Sequence, residues 1–243
     1  MDKFIFTAVS AAQRTLQAQQ VRANNLANAD TPGFRANIEL ASSQAMSASG
    51  YGYDDVHLAR GMADAVSTRN GTVRDTGRAL DVAVNGNGYL AVEFDNGEAY
   101  TRAGAIDIDA NGALSVNGRP LLGEGGPIVL PPHTAVDIAN DGTISVMPEG
   151  GTLTQIIDRL RLVSADGAQL AKNEAGLIVP RDGEPLAADP NVTVRGRALE
   201  GSNVSAVEEM VAVMSLNRSF ELQMKMFKAS DSMNESGNRL IGA

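Results

Sequence analysis

Cysteine and tryptophan are both missing from this 243-residue sequence, and aromatic residues make up only 4% of it. Without cysteine, neither a disulfide nor a thiolate metal site can contribute to stability, whichever redox compartment the chain occupies. The scarcity of aromatics argues against an aromatic-lined ligand pocket and for surfaces packed with small residues. Positive charge is also in deficit: 20 Lys and Arg stand against 29 Asp and Glu, for a formal net charge of -9, with no basic run. Nucleic acid is therefore not an expected partner, and neither is an anionic lipid surface. No apolar run approaches the roughly 20 residues of a membrane-spanning helix, so membrane insertion is not expected. Phe4 to Ala12 forms a short apolar stretch after Lys3 that imitates a signal peptide. Asp2 offsets Lys3 and the apolar pattern continues at helical spacing, so the stretch reads as an uncleaved helix.

Helix breakers are distributed unevenly. No proline precedes Pro32 or follows Pro190, and no glycine precedes Gly33. Helical ends around a non-helical centre follow from this asymmetry. At the N-terminus Ile5, Val9, Ala12, Leu16, Gln19, Ala23 and Leu26 alternate steps of four and three, the seam spacing of packed helices. The helix should stop before Thr31-Pro32-Gly33, where proline fixes φ and glycine suits the third position of a type II turn. At the C-terminus Ser205-Ala206-Val207-Glu208 reads as a capping box that opens a long helix. That helix carries one apolar stripe through Met210, Val213, Phe220, Met224 and Phe227. A second runs through Leu222, Met226, Ala229, Met233 and Leu240. One N-terminal helix covers roughly one face of another, so two stripes call for neighbours on two sides. We take these seam residues as the candidate subunit interface.

Between the ends, Asn-Gly and Asp-Gly pairs recur from Asn85-Gly86 to Asp182-Gly183, and these dipeptides favour tight hairpins. The apolar period there is two: Leu80, Val82 and Val84, then Leu90, Val92 and Phe94, then Ile106 and Ile108, then Leu114 and Val116. The expected fold class is α+β, with N- and C-terminal helices paired as a coiled-coil-like bundle around a central antiparallel β-rich domain. Its expected parts are an N-terminal helix and turn over 1–35, an extended arm or hairpin over 36–75, a β-rich domain over 76–195 and a C-terminal helix over 196–243.

No motif for catalysis, metal or cofactor emerges. Asp107 to Gly112 matches the first half of a calcium loop, but its twelfth position is Gly118 where a bidentate Glu is needed, so a solvated hairpin is the better reading. Gly123-Glu124-Gly125-Gly126 lacks the Lys-Ser or Lys-Thr of a phosphate loop. His57 and His133 lack partners at zinc-site spacing and read as surface residues. Without a Gly-x-Ser-x-Gly elbow or a cysteine nucleophile, an enzyme is not expected.

The termini resemble the flagellar rod and hook family. Asn25-Leu26-Ala27-Asn28 followed by Thr31-Pro32-Gly33-Phe34-Arg35 is similar to its N-terminal signature. Glu200-Gly201-Ser202-Asn203-Val204, with Val207-Glu208-Glu209-Met210 and Arg218-Ser219-Phe220-Glu221, resembles its C-terminal one. Leu80 to Val84 and Tyr100-Thr101-Arg102-Ala103-Gly104 are similar to its shared β domain. Gly123 to Ile128 and Gln223-Met224-Lys225 look most like the proximal-rod branch, with distal-rod or hook subunits as the alternative. The resemblance implies a structural subunit exported through the flagellar secretion channel and assembled across the periplasm. Its partners would be other rod proteins, copies of itself and the export apparatus. A competing class is a monomeric β-rich binding module or enzyme whose terminal helices merely pack together.

Overall fold

The computed structural model describes the chain apart from residues 1, 39–40, 46–56, 62–64, 96, 152 and 242–243. Two helices bracket a β-rich centre: α1 spans Asp2–Ala27 and α2 spans Ala206–Ile241. The chain divides into two compact units. One comprises Met1–Ala27, Asn37–Asp64 and Ser205–Ala243; the other comprises Asn28–Ala36 and Ala65–Val204.

In the helical unit, the breaker-free ends become long helices because nothing in them interrupts the backbone ladder. Ser205 caps α2, its Oγ accepting from Glu208 N at 3.4 Å. Glu208 and Glu209 lie in the first turn, where carboxylates complement the helix dipole. The described part of the 36–75 segment includes a hairpin in which Ala41–Ala45 pairs antiparallel with His57–Gly61. The remainder of that expected arm falls partly outside the described residues.

The β unit is built on a five-stranded antiparallel sheet in the order Leu162–Ser164, Gly88–Phe94, Gly97–Thr101, Ile178–Pro180, Leu170–Lys172. Alternation sorts the strand Gly88–Phe94 onto two cores. Leu90 and Val92 join Val82, Val84, Ile106, Leu114 and Val116 on one face, while Tyr89 and Ala91 join Tyr100 and Ile178 on the other. Both faces are thus buried, which explains why so few residues of Gly88–Phe94 are polar. Ile108, expected beside Ile106, ends its strand and is 39% exposed. Asn117 and Gly118, with φ of 51° and 76°, close the hairpin from Leu114–Val116 to Arg119–Pro120. Asp109 Oδ1 accepts from Asn111 N and Ala113 N, each at 2.8 Å, so this carboxylate shapes a hairpin turn. The unit also holds a three-stranded antiparallel sheet of His133–Ile138, Thr143–Pro148 and Gln155–Arg159, and two short ladders, Val194–Gly196 on Val82–Val84 and Ala198–Glu200 on Val73–Asp75.

Candidate functional site: the signature junction and the helix faces

Within the β unit, segments far apart in sequence meet around one carboxylate. The turn after α1 is closed by Phe34 N donating to Thr31 O at 3.2 Å, with Gly33 at φ 70°. A Cβ added at Gly33 would lie 2.2 Å from Ala103 N, so only glycine fits against that backbone. Gly33 N also donates to Glu200 O at 2.8 Å, docking the turn on the C-terminal signature. The chain then delivers Arg35 to the interior. Its Nη2 reaches Glu200 Oε1 at 3.0 Å and Asn70 Oδ1 at 3.0 Å, and its Nη1 donates to Arg69 O.

Arg102 approaches the same carboxylate, its Nη1 2.9 Å from Glu200 Oε2. It also donates to Val84 O at 2.6 Å and to Gly86 O, and its guanidinium lies 5.2 Å from the Tyr89 ring centroid. Gly71 N gives Glu200 Oε1 a further bond at 2.7 Å. The side chains of Arg35 and Arg102 are 1% exposed and that of Glu200 is 2%. Burial pulls both guanidinium pKa values below the ordinary arginine range. Repulsion from Arg35 lowers Arg102 further, and Glu200 opposes the shift in both. Burial likewise raises Tyr89.

Two more groups close the junction. Asn203 Oδ1 accepts from Ala36 N at 2.7 Å, while its Nδ2 donates to Ser67 Oγ at 3.1 Å and Arg69 O at 2.8 Å. Lys172 Nζ sits 3.7 Å from the Phe34 ring centroid and donates to Arg35 O. Burial lowers its pKa to about 8, while the ring face beneath it favours the charged form. Chemically this is a clasp: each of these charged groups bonds to another part of the chain, and among the described residues of the junction no nucleophile is aligned with a base. Among the described residues no group of three or more His, Cys, Asp or Glu could hold a metal ion.

Within the helical unit, α1 and α2 run antiparallel, as descending partner numbers require. Gln223 Nε2 donates to Thr15 Oγ1 at 3.2 Å, and Gln19 Nε2 to Asn217 Oδ1. Arg22 Nη1 donates to Glu209 Oε1 at 3.1 Å, and Asn25 Nδ2 to the same oxygen at 3.4 Å. Asn25 is fully buried. Its carboxamide also accepts from Asn37 N at 2.9 Å and donates to Asn37 O at 3.1 Å, as a neighbouring strand would. Ala18, Val21, Arg22, Ala212, Ser215 and Leu216 line a cleft of about 270 Å³, so the pair is loosely packed there.

The apolar stripes lie largely elsewhere. Val9, Leu16 and Ala23 are exposed, Ala12 and Leu26 are half-buried, and the side chain of Ile5 is outside the described residues. On α2 the first stripe divides: Val213, Phe220 and Phe227 are half-buried, whereas Met210 and Met224 are exposed. The described part of the second stripe faces solvent, with Leu222 60%, Met226 46% and Met233 67% exposed, and the side chain of Leu240 is outside the described residues. Val207, Val211 and Met214, absent from the expected seams, are 59–68% exposed and extend this open apolar surface. Among the signature residues, Asn25, Gly33, Phe34 and Asn203 make the contacts given above. Thr31 Oγ1 donates to Asn28 Oδ1 at 3.2 Å, and Ser202 Oγ accepts from Val204 N at 3.2 Å. Ala27, Pro32 and Glu208 are exposed. Sequence reasoning places Arg35, Arg102 and Glu200 inside motifs but gives them no role. Their signal was a charge in each of three apolar or glycine-rich segments, which burial converts into a pairing requirement.

Three family models match this layout. Residues 5–35 match the flagella basal body rod protein model, and 83–146 match the flagellar hook protein FlgE/F/G D1 domain. Residues 195–240 match the flagellar basal body rod FlgEFG protein C-terminal model. The junction residues Arg35, Arg102 and Glu200 fall one in each. The class is therefore the axial rod and hook proteins of the bacterial flagellum. Within it, the flagellar basal-body rod protein FlgF of Salmonella typhimurium is 38% identical over 99% of both chains, and that of Escherichia coli is equally similar. The rod protein FlgG of Buchnera aphidicola subsp. Acyrthosiphon pisum is 31% identical over 90% of this chain and 93% of its own. The chain belongs to the flagellar basal-body rod family, and it is a structural rod subunit.

Proposed function

We propose that this subunit stands in the proximal rod and assembles through its terminal helices, paired as a coiled-coil-like bundle, to build the hollow axial drive shaft. The supporting observation is the apolar surface that the helix pair leaves open. Polar bonds from Thr15 to Gln223 and from Arg22 to Glu209 join a loosely packed contact that also holds Ala18, Val21, Ala212 and Leu216, while Val9, Leu16, Leu222, Met226 and Met233 face outward. An apolar face of this length on an isolated helix pair marks an interaction surface. Its partners in this reading are other rod proteins, proximal and distal, and copies of itself, reached through the flagellar export apparatus without a cleaved signal peptide. The site of action is the basal body across the periplasm. Activity is mechanical and not enzymatic, and the clasp around Glu200 supports this because its charged groups hold one part of the chain to another. The working parts are 1–35 and 196–243 for assembly, 76–195 as the β body and 36–75 as the arm that sets position in the rod. No described helix is long and apolar enough to cross a membrane.

The experiment is motility together with incorporation into purified basal bodies, scored beside export, for Leu16→Asp and Leu222→Asp. Both side chains are exposed in the single chain, so each variant should fold and be exported yet fail to incorporate. Incorporation at the wild-type level by both would defeat the proposal.

A further inference from the structure

The junction around Glu200 is not electrically balanced. Arg35, Arg102 and Lys172 bring three cationic groups together, and the carboxylate that answers them among the described residues is that of Glu200. The two guanidiniums are 1% exposed, so water screens them little. Each also keeps one donor without a partner: Arg35 Nε and Arg102 Nε are buried and unbonded. Buried donors of this kind are rare and call for an acceptor. Arg35, Arg102 and Lys172 all line one cavity of about 30 Å³, together with Gly33, Phe34 and Thr101. That space holds one or two water-sized bodies.

Water could accept from the guanidiniums but would leave the excess positive charge in place. A carboxylate side chain from outside would need more room than the cavity offers. We propose that this cavity binds a small monovalent anion of the halide type, which accepts from the buried guanidiniums and completes the charge balance of the clasp. The anion ties the Thr-Pro-Gly-Phe-Arg turn to the segment after Gly97–Thr101 that carries Arg102, so its occupancy adjusts how firmly the turn is docked.

The test uses the full chain at constant ionic strength, replacing sodium gluconate, whose anion is too large for the cavity, stepwise with sodium chloride. Between about 1 mM and about 100 mM chloride, a site with a millimolar dissociation constant raises the melting temperature of a chain this size by roughly 5 to 10 °C. Chloride NMR lines should broaden on adding protein. Lys172→Gln should lose most of the chloride-dependent increment, whatever its stability in gluconate. Crystals soaked in bromide should show one anomalous peak in the cavity, which decides the matter even if Lys172→Gln fails to fold. Superimposable melting curves in the two salts with no anomalous peak in the cavity would mean that water alone fills it, and would overturn the proposal. An unchanged chloride increment in folded Lys172→Gln would overturn it as well, by placing the ion elsewhere.

Discussion

Replacing Glu200 by Gln is the sharpest probe of the clasp, because it keeps the shape and removes only the charge and one acceptor. The amide oxygen can still accept from Arg35 and Gly71 N. Its NH2 group must then face Arg102 Nη1, which now lies 2.9 Å from a carboxylate oxygen, and two donors meet. Two guanidiniums, each 1% exposed, lose their counter-ion. Breaking a buried pair by removing one partner costs about 3 to 5 kcal/mol. In a chain of this size each kcal/mol is worth about 2 to 4 °C, so the melting temperature should fall by roughly 6 to 20 °C. The control is Asp75→Asn, which breaks the exposed pair with Arg195 and should shift melting by about 4 °C at most. Differential scanning calorimetry measures both. If Glu200→Gln melts within about 2 °C of wild type, the ion pairs contribute little, and the turn is held by the Gly33 N to Glu200 O bond and Asn203 instead.

Three further outcomes follow from the same contacts. Gly33→Ala should destabilise by well over the roughly 1 kcal/mol of left-handed strain expected for Gly118→Ala, because Gly118 has nothing within 4 Å while Gly33 meets backbone at 2.2 Å; chemical denaturation of the two variants compares them. Lys172 titrates at about 8 in the folded chain and near 10.5 when unfolded, so the unfolded state holds more protons between these values and stability rises with pH there. The melting temperature of wild type relative to Lys172→Met should therefore climb between about pH 8 and pH 10 and be flat below about pH 7. Glu209→Ala removes the acceptor that Arg22 and buried Asn25 share, leaving Asn25 its bond to Asn37 O, and amide exchange in the last turns of α1 should accelerate roughly tenfold or more, with Leu90 to Val92 unaffected.

The two helices were legible in the sequence because proline and glycine avoid the ends, and the strands because alternation is interrupted by Asn-Gly and Asp-Gly. The face by which α1 meets α2 was not. Hydrophobic periodicity detects apolar residues, and the bonds across this face come from Thr15, Arg22, Asn25, Glu209 and Gln223, beside partly buried Ala18, Val21 and Leu216. Its regularity is nevertheless present: Glu209, Leu216, Gln223 and Ser230 follow one another at steps of seven, three of them polar. A heptad of polar residues looks like a solvated surface until a second helix is placed against it. Likewise Arg35, Arg102 and Glu200 stand 67 and 98 residues apart in order along the chain. No local pattern pairs them, since what brings them together is the docking of the Gly33 turn against Ala103 and Glu200.

The contrast between a contact bonded by polar groups and an apolar surface left open bears on where the binding energy of the helices resides. Each hydrogen bond across the α1 and α2 contact contributes about 0.5 to 1.5 kcal/mol net, and the exposed ones less. Burying an outward side chain such as Leu16, Leu222, Met226 or Met233 against a neighbour would contribute about 1.5 to 3 kcal/mol. The larger reserve of stabilisation therefore lies on surfaces that the single chain does not cover. Polar groups at a helix contact fix register at some expense of stability. In the assembly we propose, the polar contact would align α1 with α2 and leave strength to the neighbours, so that the helices become fully stable only where the rod is already growing.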